Sequence, residues 1–264
     1  MTGTVLVTGA TGTLGREVAR LLVARGVAVR GLSRRVRSGG DGVAWVVGDL
    51  VSGAGTAEAL AGVDVVVDCA TTQRKADLEA VGTLVARARE AGVRHLVYVS
   101  IVGIDRVPIG YYRTKLACER VVRESGLGWT VLRATQFHDL LLRFFDASVR
   151  LPLFPVLSGA AVQPVDVREV AEAVADLAGA EPAGFAPEVG GPQVRPYREL
   201  AEAYLRAAGR RRVLLPLRLP GAAGRALREG GNLTPDRAVG RGTFEQVLER
   251  RFGSAGAGPA ARGV

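Results

Sequence analysis

The apolar positions of this chain fall into two alternating rhythms. Thr4-Val5-Leu6-Val7-Thr8 is a continuous apolar run of the kind buried on both faces of a sheet. After it, Arg16 to Arg25 carries Val18, Leu21 and Leu22 at helical spacing, and Gly26 stops the helix. Further strands are predicted at 27–33, 43–47, 63–69, 95–100 and 129–133, with helices between them near 56–60, at 78–90 and at 112–125. Such alternation predicts an α/β fold, a doubly wound parallel sheet. Beyond residue 150, prolines at 152, 155, 164, 182, 187, 192, 196, 216 and 220 break the pattern into short pieces around two predicted helices, 167–177 and 198–208. Residues 151–253 therefore read as a small, mixed C-terminal region that covers a substrate and is integrated with the same domain. Residues 254–264 have too little to bury and are expected to be disordered.

The turn between the first strand and the first helix is Gly9-Ala10-Thr11-Gly12-Thr13-Leu14-Gly15. A backbone that wraps a diphosphate needs glycine where it bends, where it approaches the phosphates and where the helix packs on the strand. Gly9, Gly12 and Gly15 stand at those three places. The amides opening the helix, around Thr11, Thr13 and Leu14, would face the phosphate charge. Residues 1–150 are thus expected to form a Rossmann-type dinucleotide-binding domain, a tight turn that binds nothing being the alternative. At the end of the second strand stand Ser33, Arg34 and Arg35, where a carboxylate would select NAD(H). Two guanidinium forks and a hydroxyl suit the 2′-phosphate of NADP(H), with Arg34 the direct contact, unless the arginines are a solvated surface pair.

With these residues the sequence resembles the atypical, NmrA-like branch of the short-chain dehydrogenase/reductase superfamily, over about residues 3–180. The resemblance implies that Gly48-Asp49-Leu50 contacts adenine and that Cys69-Ala70-Thr71 lies where the fourth strand passes the cofactor, with Ala70 and Thr71 in contact. Tyr111-Tyr112-Arg113-Thr114-Lys115 holds that family's Tyr-x-x-x-Lys spacing, which implies Tyr111 as proton donor and Lys115 on the nicotinamide ribose, with Tyr112 as the rival donor. One helical turn puts Tyr111 and Lys115 on a common face, where an ammonium would lower the phenol's pKa. The family's serine or threonine after the fifth strand aligns with Ile101, and Ser100, a cofactor contact by position, stands one residue early, which on a strand turns its side chain away. Ile101, Val102, Phe137 and His138 fall where the family lines its substrate pocket. His138 is a substitute acid, a substrate hydrogen-bond donor or a packing histidine, and Phe137 a core residue or a substrate platform. The apolar runs 140–145 and 151–155 are core or an apolar lid.

Composition adds exclusions. The chain has 264 residues, 48% of them hydrophobic and 23% charged, and no apolar run that spans a bilayer, so no membrane partner is expected. Its formal charge of +9 comes from scattered arginines, and only Lys75 and Lys115 are lysines, so no nucleic-acid partner is expected either. The start of the chain lacks a basic, apolar leader, which suggests the cytoplasm. Two cysteines, Cys69 and Cys118, exclude a disulfide framework, and two histidines, His95 and His138, with no Cys/His cluster exclude metal chemistry. The expected function is an NADPH-dependent oxidoreductase transferring hydride to a small apolar carbonyl, quinone or conjugated substrate, acting as a monomer or homodimer. The alternatives are a non-catalytic NADP(H)-sensing regulator that binds a protein partner, and an isomerase, epimerase or lyase that uses bound cofactor.

Overall fold

The structure is a computed structural model, and it describes residues 3–253. The Val- and Leu-rich runs become strands β1 (Thr4–Thr8), β2 (Ala28–Ser33), β3 (Val43–Val47), β4 (Val63–Asp68), β5 (His95–Ile101) and β6 (Gly128–Ala134). Between them lie helices α1 (Thr13–Ala24), α2 (Thr56–Leu60), α3 (Ala76–Glu90) and α4 (Gly110–Arg123). Helix α4 opens two residues earlier than the apolar rhythm suggests, which places Tyr111 inside its first turn. With β9 (Gly184–Phe185) these strands form one parallel sheet in the order β3-β2-β1-β4-β5-β6-β9. The order reverses direction between β1 and β4, the switch point where such sheets place a ligand beyond the strands' carboxyl ends. One face of the sheet is sealed by a core in which Leu6, Val66, Leu96 and Tyr98 meet Val81 and Leu84 of α3 and Cys118 and Val122 of α4.

The chain divides into two compact units, and the division does not follow the boundary expected at residue 150. The first unit runs up to Ala134 and takes back Val167–Val189, because helix α6 (Val167–Ala178) packs on α1 and β9 extends the sheet. The second unit holds Thr135–Asp166 and the chain from Gly190 on. It contains α5 (His138–Ser148), β7 (Leu153–Leu157), β8 (Ala161–Val162), β10 (Arg195–Pro196), α7 (Tyr197–Ala207), β11 (Val213–Leu217), α8 (Gly221–Arg228) and α9 (Phe244–Phe252).

In the second unit each apolar run is buried on one side only, and Phe144, Leu151 and Leu153 stay exposed. Residues 140–145 belong to α5, and its Leu141, Leu142 and Phe145 are buried. Residues 153–155 open β7, with Phe154 buried. The Phe145 ring packs edge-on or tilted among Phe154 at 5.6 Å, Tyr197 at 5.4 Å and Tyr204 at 5.4 Å. Helices α8 and α9 were not legible in the apolar rhythm. For α9 a local signal exists, since Thr243 and Gln246 form a reciprocal capping box at its start. The tail expected to be disordered, 254–264, lies outside the described residues. Among the described residues no helix is long and apolar enough to cross a membrane.

Candidate cofactor and catalytic site

The glycine turn leaves β1 at the switch point. Gly9 adopts φ +61°, and a Cβ there would sit 2.7 Å from the Cys69 carbonyl and 2.8 Å from Ala70 Cα, so only glycine lets the turn rest against the end of β4. Gly12 donates its backbone N–H to Gly9 O at 2.8 Å. A Cβ on Gly15 would sit 2.3 Å from Gly9 O, which fixes how closely α1 approaches the turn. Helix α1 begins with no capping side chain and no acidic residue in its first turn. Its opening amides and the positive end of its dipole are therefore left for an external anion, and the turn fits a diphosphate. Thr11 is exposed and Thr13 half-buried beside these amides, whereas the Leu14 side chain is buried and contributes packing.

At the end of β2, Ser33 is buried and its Oγ accepts the Arg35 N–H at 3.2 Å, so the hydroxyl shapes the turn instead of standing open to a ligand. Arg34 and Arg35 are exposed, and neither guanidinium has an ion-pair partner among the described residues. Asp49 holds its own turn, with Oδ1 accepting the Val51 N–H at 2.8 Å. Leu50 is buried in the core beneath, so its side chain does not face a ligand.

The chemistry-bearing groups meet just beyond β4. Tyr111 Oη lies 3.0 Å from Thr71 Oγ1, and Thr71 Oγ1 donates to Asp77 Oδ2 at 2.6 Å. Asp77 Oδ1 accepts the Thr72 N–H at 2.7 Å and the Thr72 hydroxyl at 2.5 Å. The expected lowering of the Tyr111 phenol is reversed. Burial, reinforced by the Asp77 charge, pushes it up to about 12. A Thr71 hydroxyl donating to the phenolate would pull the other way, but its hydrogen is already on Asp77.

Lys115 shares the helix with Tyr111 but is engaged elsewhere. Its Nζ donates to Val99 O at 2.7 Å and lies over the Tyr98 ring. Burial depresses its pKa, and the nearby Asp68 carboxylate opposes that. Asp68 is itself buried, accepting from the Thr8 hydroxyl and the Ala70 N–H, and burial raises its pKa. Asp68 and Asp77 were missed in the sequence. Asp68 ends an apolar strand, and the only signal for Asp77 was a threonine pair a few residues ahead of an acidic helix start.

Ser100 and Ile101 exchange the sides expected of them. By strand alternation Ser100 shares a face with Leu96 and Tyr98, which pack against α4, so Ser100 is turned toward the Tyr111 helix. Its Oγ is buried without a hydrogen-bond partner among the described residues. Ile101, half-buried, points to the opposite face. Two of the four expected pocket residues are packed away. Val102 is fully buried, and His138 is 1% exposed, with Nε2 3.1 Å from Gly242 O and its ring stacked on Phe244. His138 is a packing histidine here. Phe137 stays half-buried ahead of α5, where its backbone pairs with Val165.

Comparison with known proteins adds four findings. Residues 9–180, well over half the chain, match the model of a family described as NAD(P)H-binding. A (4-alkanoyl-5-oxo-2,5-dihydrofuran-3-yl)methyl phosphate reductase of Streptomyces griseus is 37% identical over 213 residues, covering 78% of this chain and 74% of that one. An NAD(P)H azoreductase of Xenophilus azovorans is 32% identical over 214 residues, with the same 78% and 74% coverage. Among solved structures, an NADPH-dependent quinone oxidoreductase of Escherichia coli complexed with NADPH superposes with a TM-score of 0.77 at 18% identity, covering 94% of this chain and 99% of that one.

Proposed function

Because the chain belongs to the NAD(P)H-binding family and is an NAD(P)H-dependent oxidoreductase, we propose that it uses NADPH to reduce a small, mostly apolar conjugated carbonyl or quinone, with Tyr111 as proton donor. The observation that carries this reading is the Thr71–Tyr111 hydroxyl contact. Gly9 rests on Cys69 and Ala70, and the next residue, Thr71, meets the phenol, so the cofactor turn and the proton donor adjoin one loop. NADPH supplies a hydride when bound. The glycine turn would hold its diphosphate, and Arg34 and Arg35, which form no ion pair among the described residues, would hold its 2′-phosphate. The relatives support an acceptor conjugated to a polar atom: one is named for an alkanoyl-oxo-dihydrofuran, one for azo compounds, and a structural neighbour for quinones.

Tyr111, held protonated through the neutral range, enters reduction in the form that donates, and its proton goes to the acceptor oxygen as hydride reaches the carbon framework. Lys115 follows one helical turn after Tyr111, with its ammonium held by the Val99 carbonyl and the Tyr98 ring. The test is NADPH oxidation with a panel of quinones and conjugated carbonyls, run on the parent and on Tyr111→Phe. Turnover should fall at least about a hundredfold in the variant while NADPH binding stays intact. Undiminished turnover would remove Tyr111 from the mechanism.

A further inference from the structure

Thr71 spends every hydrogen-bonding capacity its hydroxyl possesses. A hydroxyl has one hydrogen and two lone pairs. Its hydrogen goes to Asp77 Oδ2 at 2.6 Å. One lone pair accepts the Gln73 N–H at 3.1 Å, in a turn where Gln73 adopts φ +59°. The other faces Tyr111 Oη at 3.0 Å. With the threonine's only hydrogen committed, Tyr111 must be the donor in that contact.

We propose that Asp77 is a positioning residue for the reaction: acting through Thr71, its carboxylate sets the direction of the Tyr111 hydrogen and holds the phenol neutral. The proposal rests on the reading of Tyr111 as proton donor. Asp77 touches neither substrate nor cofactor in this role. Its own oxygens are filled by Thr71 Oγ1, Thr72 N and Thr72 Oγ1, so it is fixed at the start of α3 rather than free to swing. The other titratable groups around the phenol are Cys118 and Tyr112 on α4 and Tyr98 on β5, while Lys115 bonds to the Val99 carbonyl. Asp77 is the carboxylate that acts most strongly on Tyr111, and the buried Asp68 carboxylate acts on its neighbours Tyr98, Lys115 and Cys118.

In Asp77→Asn the negative charge is lost, and the new amide can donate to Thr71 Oγ1, which frees the threonine hydrogen to turn toward the phenol oxygen. Both changes favour the phenolate, so the Tyr111 transition should move to lower pH by about one pH unit or more. The measurement is tyrosinate absorbance after stopped-flow pH jumps, read before any unfolding, in the parent and in Asp77→Asn. The same two proteins carrying Tyr111→Phe serve to subtract the other tyrosines. Thr71→Val severs the hydroxyl bridge while keeping the carboxylate, and in that background the Asp77→Asn shift should fall to less than half. Coincident transitions in parent and Asp77→Asn would overturn the proposal, as would an undiminished shift in the Thr71→Val background. This readout needs no turnover. An Asp77-dependent transition together with full activity in Tyr111→Phe would sink the donor assignment and leave the coupling standing.

Discussion

The ammonium of Lys115 lies 4.0 Å from the centre of the Tyr98 ring and donates to the Val99 carbonyl at 2.7 Å. A buried cation held this way is balanced by a ring face and one carbonyl, with no carboxylate within ion-pair distance among the described residues. Burial depresses its pKa from the usual lysine range. The unfolded chain therefore binds more protons than the folded one in the alkaline range, and stability rises with pH through that window. In Lys115→Met this rise should disappear, and stability near neutrality should be unchanged or raised by about 1 kcal/mol. Urea denaturation at a series of pH values measures both, and NADPH titration of the same variant should show weaker binding.

Arg34 is exposed and makes no ion pair among the described residues, so its loss should leave stability within about 0.5 kcal/mol of the parent. Its charge-assisted contact to a 2′-phosphate predicts a roughly 10- to 100-fold loss of NADPH affinity in Arg34→Ala, with NADH affinity little changed. Fluorescence titration with each nucleotide decides it. Equal losses for both would place Arg34 away from the 2′-phosphate.

Glycines in this fold should respond in opposite directions. Gly9→Ala combines φ +61° with a Cβ 2.7 Å from a backbone carbonyl, and should cost more than about 1 kcal/mol. Gly82, inside α3, has nothing within 4 Å of an added Cβ, so Gly82→Ala should stabilise by about 1 kcal/mol. Thermal or urea melts of the two variants test the contrast.

His138 is buried against Phe244 and bonded to the Gly242 carbonyl. His138→Ala should lower stability by about 2 kcal/mol or more, through a cavity and an unpaired carbonyl, and leave kcat/KM of the folded protein unchanged. A variant that keeps its stability but loses turnover would return His138 to the chemistry.

The sequence by itself determined the frame of the cofactor half. Strand and helix periods are local properties, and so is the need for glycine at 9, 12 and 15, which is why the parallel sheet and its turn could be read before any contact was known. Only the tertiary structure decided what the groups around that turn do. Which strand face carries α4 depends on packing, and this put Ser100 rather than Ile101 on the side of Tyr111. The apolar run 140–145 has the same composition as lid or as core, and packing buries Leu141, Leu142 and Phe145 while leaving Phe144 exposed. The unit boundary at Ala134 follows from α6 returning to pack on α1, a contact that no local rhythm encodes. The bridge from Asp77 through Thr71 to Tyr111 joins residues from two loops and a helix start, and hydrogen bonds over such separations leave no periodic trace in a single chain.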